Sequence, residues 1–132
     1  MKFLSAYKEQ AYAIMRIVTG LLFIQHGIQK MIMISGGQMP ANNILMILAM
    51  IIETVAGLLV IIGWQTRPTA FIASGEMAVA YFKGHAAAAL LPINNKGELA
   101  VIYCFVFLFI ATYGAGIWSV DGSLTERSRS EQ

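Results

Sequence analysis

The stretch MRIVTGLLFIQHGIQKMIMI, residues 15–34, decides how the chain is read. At about 1.5 Å per residue it matches a hydrocarbon core roughly 30 Å thick. Yet it contains Arg16, His26 and Lys30, and an ionised side chain in hydrocarbon is costly unless a partner compensates it.

The same apolar character recurs in residues 44–64, 69–91 and 99–118, so that with 11–34 the chain presents four blocks long enough to span a membrane. Of the 132 residues, 58% are hydrophobic and 12% charged, about half the charged share of a soluble domain. The last block, LAVIYCFVFLFIATYGAGIWSV, holds no Asp, Glu, Lys, Arg or His. A soluble four-helix bundle needs a charged outer stripe and is a poor alternative. The expected fold is all-α: an integral membrane four-helix bundle with short loops over residues 1–121, then a polar mobile tail, 122–132. Lys2 and Lys8 precede an apolar run as in a signal peptide, but the run is too long and lacks a small-residue cleavage site, so it is expected to stay as a span. The lone Cys104 can form no intramolecular disulfide, and the net charge of +2 is scattered, so nucleic acid is not an implied partner.

Orientation follows from the basic residues outside the spans. Lys2, Lys8, Arg67, Arg127 and Arg129 fall on the side of the termini and middle loop, whereas Lys96 is the only fixed charge in the other two loops. Both termini are therefore expected in the cytoplasm, and the protein in an inner membrane as a multi-pass chain. Gly63 closes the second span, Pro68 opens the third and Pro92 follows it. Asn42 or Asn43 can cap the second helix, and NKGE, residues 95–98, has the spacing of a capping box between Asn95 and Glu98. Trp64 and Trp118 sit where interfacial aromatics belong. No internal repeat is visible.

The polar residues inside the spans nearly balance in sign: Arg16, Lys30 and Lys83 against Glu53, Glu76 and Glu98, with His26 and His85 among them. Arg16, Gly20, Phe23, Gly27 and Lys30 share one helical stripe with His26 at its edge, while Leu21, Leu22, Ile28 and Ile32 lie off it. This predicts an inward charged cluster, with Gly20, Gly27, Gly57 and Gly75 permitting close helix approach. Depth along the helices predicts Arg16 as the partner of Glu53 and Glu76, and Lys30 and Lys83 as the balance for Glu98. Snorkelling to the headgroups is the alternative for Arg16 and Lys30, a capping role for Glu98, and an interfacial position for Lys83 and His85. Glu53 lies near the centre of ILMILAMIIETVAGLLVIIG, with no helix end within reach, so a partner or a function is its default reading. Tyr103, Cys104 and Tyr113 read as packing residues.

In GLLFIQHGIQKM, ETVAGLLVIIGWQTRPTA, NKGELA and GAGIWSVD, together with the early Arg16, the chain resembles the DoxX family of small four-span inner-membrane proteins over roughly residues 11–121. The resemblance carries over Arg16, His26, Lys30, Glu53, Arg67 and Glu98; Glu76, Lys83 and His85 rest on their positions in the third span. The long periplasmic insertion of quinone-linked thiosulfate-oxidising relatives is absent. The family implies redox-associated membrane work, often beside a soluble partner. One expected function is an oxidoreductase-associated subunit whose polar interior receives a quinone or a small oxidant: His26 bonds a quinone carbonyl and Glu53 or Glu76 relays protons. Such a subunit lacks an electron donor of its own and needs a soluble redox partner. The alternatives are a small transporter or binding protein for a polar solute, for which a homo-oligomer is expected, a haem protein using His26 and His85, and a copper or zinc site from His26, His85 and a carboxylate.

Overall fold

A computed structural model describes residues 2–40 and 42–131. Met1, Ala41 and Gln132, parts of the expected termini and first loop, lie outside the described residues, as does the side chain of Lys2. The chain is all-helical among the described residues: α1 (Lys2–Ser5), α2 (Lys8–Ser35), α3 (Ile44–Ile62), α4 (Thr66–Ala80) continued by a π turn (Tyr81–His85), α5 (Pro92–Asn95), α6 (Glu98–Tyr113) and α7 (Val120–Ser130).

Local chemistry explains the boundaries. Asn43 starts α3 by accepting from Met46 N–H at 3.3 Å, and Gly63 ends it at φ 68°, with its N–H bonded to Leu59. That left-handed turn suits glycine, and a Cβ at Gly63 would lie 2.3 Å from that of Ser119. The π turn is closed by Ala86 N–H to Tyr81 C=O at 2.9 Å, five residues back. The capping box expected at residues 95–98 does not form: Asn95 Oδ1 takes Gly97 N–H at 2.7 Å, and Glu98 is exposed at the start of α6. Asn95 is instead turned inward, donating to Ala89 C=O at 2.7 Å.

Among the described residues two helices, α2 and α3, are long and apolar enough to cross a membrane. The third and fourth blocks are less regular than expected. Thr66, Arg67, Thr69, Ser74 and Glu76 dilute α4, and α6 stops after 16 residues, at Gly114 with φ 98°. The tail expected to be mobile is helical as far as Ser130, because Ser119 Oγ caps α7 and Arg127 and Arg129 lie at its C-terminal end, where cations are favoured.

Contacts set the arrangement. Arg16 meets Val60 and Ile61, Gly20 meets Gly57, and Lys30 meets Glu53, so α2 and α3 are antiparallel. Arg67 meets residues 111–113, Ser74 meets Cys104, and Gly97 lies against Tyr81, so α4 and α6 are antiparallel too. Phe23 packs on Phe107 and Tyr103, tying the two pairs into one core with Val60, Ala70, Ala73, Met77 and Ile110. Glycines let α2 and α3 touch backbone to backbone: a Cβ at Gly20 would lie 2.7 Å from Gly57 C=O. Polarity is inverted relative to a soluble fold. Arg16, Glu53, Thr66, Thr69 and Ser74 are buried, while Leu21, Leu48, Leu58, Phe71, Phe82, Ile102 and Phe105 are exposed. Water would not tolerate so large an apolar exterior, whereas lipid favours it.

Candidate functional site

Each of the four long helices sends a polar side chain to one interior region. From α2 comes Lys30, whose Nζ donates to both Glu53 carboxylate oxygens of α3 at 2.7 Å. Glu53 is 2% exposed, so its carboxylate lies almost wholly out of solvent and its charge is met by this ion pair. Glu76, from α4, lies within electrostatic reach of both Glu53 and Lys30, and its Oε2 is buried without a hydrogen-bond partner. His26, one turn before Lys30, meets Tyr103 of α6 edge to face with ring centroids 5.9 Å apart. Tyr103 is also within electrostatic reach of Glu53.

The chemistry follows from that set. Lys30 and Glu53 satisfy one another, and Glu76 adds a second carboxyl with an oxygen facing no donor. A buried acceptor without a partner is a costly feature of a folded protein and marks a position for a ligand, a water or a proton. The His26 ring makes no hydrogen bond to protein among the described residues. The cluster therefore presents one cation, two carboxyls, an imidazole and a phenol.

Arg16 is not part of it. The expected pairing with Glu53 and Glu76 is not formed, because Arg16 lies near the opposite end of α2, where antiparallel packing presents the C-terminus of α3. The guanidinium donates to the carbonyls of Val60 and Ile61, and to Trp118 at 2.8 Å and Ile117 at 3.4 Å. Those carbonyls are the unpaired acceptors of a helix end and a turn, where partial negative charge favours a cation. Arg67 plays the same part at the end of α6, donating to Ala111, Thr112 and Tyr113. Asp121 completes this end of the molecule by accepting from Gln65 and Thr66 N–H at 3.0 and 2.8 Å, clasping α7 to the start of α4.

The remaining expected residues lie apart from the cluster. Lys83 and Glu98 are exposed, and neither forms an ion pair among the described residues, so the expected balance of Lys30 and Lys83 against Glu98 does not arise. His85 stacks on Tyr81 and its Nδ1 lies 3.0 Å from Asn95 C=O, within a network that closes the turn before α6. No group of three or more His, Cys, Asp or Glu side chains placed to hold a metal occurs among the described residues. Tyr103 was legible only as packing. Its signal is a phenol on the buried stripe of Ala100, Tyr103, Phe107 and Ile110, midway along a helix with no other polar group on that face.

Comparison with known proteins gives two findings. The family model described as DoxX matches residues 11–86, more than half of the chain. A Haemophilus influenzae protein described as uncharacterized is 37% identical over 134 residues, covering 96% of this chain and 100% of its own length. No solved structure matches.

Proposed function

The chain belongs to the DoxX family of membrane proteins, and from that premise we propose that it is the membrane-embedded subunit of an oxidoreductase, with a quinone received at the Lys30, Glu53, Glu76 and His26 cluster. In this reading the four long helices are four spans of a bacterial cytoplasmic membrane, forming a four-helix bundle with both termini in the cytoplasm. The α4 helix reaches its span length only with the π turn, and α6 is completed by the turn that Arg16 and Arg67 hold in place.

The observation that carries the reading is the unpartnered Glu76 oxygen beside the Lys30 to Glu53 ion pair. Reducing a quinone to a quinol takes up two electrons and two protons, so a site for it needs hydrogen-bond donors for the carbonyls and titratable groups for the protons. His26 and Lys30 supply donors, and Glu76 supplies a carboxyl free to hold a proton. Electrons come from a soluble redox partner, since a single thiol cannot cycle as a dithiol.

The test uses the full chain purified from a bacterial membrane into lipid nanodiscs, with retained quinone measured against phospholipid. The parent is expected to retain close to one quinone per chain, Lys8→Gln to match it, and Glu76→Gln and His26→Ala to lose most of it. A parent that holds no more quinone than protein-free discs overturns the reading.

A further inference from the structure

The outward face of α2 takes no part in the charge cluster. It carries Ile14, Val18, Leu21, Gln25, Ile28 and Ile32, all exposed. Their spacings alternate four and three, the seven-residue pattern of a coiled-coil seam. The opposite face already buries Arg16, Gly20, Phe23 and Gly27 inside the fold. Gln25 is the misfit in the seam, and Gln29, one turn on, is exposed beside it. Neither amide has a hydrogen-bond partner among the described residues.

Depth makes these amides significant. Gly27 lies against Thr54 and Met50, and Lys30 against Glu53, so Gln25 and Gln29 sit level with the middle of α3. A lipid tail offers an amide neither donor nor acceptor, and an unsatisfied polar group at that depth is costly. A second copy of the chain offers both. Copies inserted the same way and related by a two-fold axis along the membrane normal bring each seam residue against its own counterpart. An amide is self-complementary: each Gln25 donates one hydrogen bond to its counterpart and accepts one in return. A shallow groove of about 480 Å³ lies on this same face, lined by Gln25, Ile28, Gln29, Ile32, Met33 and Gln38.

We propose that α2 forms a parallel, left-handed seam with α2 of a second copy, its register set by Gln25. This stands independently of the quinone reading, because it uses the opposite face of α2. The single buried polar position in an otherwise apolar heptad seam is the arrangement that specifies register and partner number in coiled coils.

The test uses the full chain in liposomes with Cys104→Ser, so that one introduced cysteine reports contact. Leu21→Cys and Ile28→Cys are expected to give an oxidised covalent dimer, whereas Leu58→Cys and Phe105→Cys, at positions more exposed than either on α3 and α6, are not. Gln25→Leu is expected to weaken dimerisation about threefold to tenfold on dilution into excess lipid, and Gln25→Asn to retain most of it, with helicity unchanged in both. Cross-linking at Leu58 or Phe105 that matches Leu21, a monomer at every lipid ratio, or unaltered association in Gln25→Leu each overturns the proposal.

Discussion

Lys30 persists in a helix of membrane-spanning length because Glu53 takes its ammonium with both carboxylate oxygens at 2.7 Å. Removing one member of such a pair leaves the other buried and uncompensated, which costs about 3–5 kcal/mol. Glu53→Gln is therefore expected to lower the thermal midpoint in detergent by several degrees, and Lys8→Gln, exposed near the start of α2, to leave it unchanged. Replacing both members by apolar residues of similar volume is often neutral. Lys30→Met with Glu53→Leu should accordingly recover most of the stability and none of the quinone retention, which separates the pair's structural role from the binding role proposed for it. A double variant as unstable as Glu53→Gln alone would show that the loss comes from packing and not from a stranded charge. Arg16 solves the same burial problem differently, with backbone carbonyls, and this requires a fork of fixed donors that Lys does not have.

The α2 and α3 pair shows why some glycines matter and others do not. A Cβ at Gly27 would stand 2.3 Å from Thr54 Oγ1 and 2.9 Å from Thr54 N, whereas one at Gly75 meets nothing within 4 Å. Gly27→Ala must push α3 away at the level where Lys30 reaches Glu53, so it is expected to lower both thermal stability and quinone retention. Gly75→Ala is expected to be neutral or slightly stabilising, as a helical glycine costs about 1 kcal/mol relative to alanine. Equal effects from the two substitutions would contradict this account of the interface. The start and end of α3 were legible because Asn43 and Gly63 act within one turn of chain. Helix α7 is not legible in this way, because its anchors to the rest of the fold are remote in sequence: Asp121 bonds the start of α4, and its own N–H bonds Gly63 C=O at 2.9 Å.

At the scale of the molecule, the ends of the long helices make two distinct surfaces, one gathering Arg16, Arg67 and Asp121, the other His85, Asn95 and the turn around residues 36–40. The proposed topology places the first toward the cytoplasm. In a Cys104→Ser background, cysteines at Gln38 and Ser128 should react with an impermeant reagent from opposite faces of the membrane, and labelling from the same face would end the four-span topology. The sequence by itself determined the all-helical class, the membrane character, the inward stripe of α2 and the need for Glu53 to have a partner. These depend on composition and on a helical period that local sequence carries. It did not determine which cation meets which carboxylate. Arg16 was expected near Glu53, yet antiparallel packing sets it against the carbonyls closing α3 and gives Glu53 to Lys30. That choice depends on the relative sliding of α2 along α3, which is set where Gly20 meets Gly57 and Gly27 meets Thr54. Only the tertiary structure decides it, because such contacts join residues far apart in the chain whose pairing no local pattern encodes.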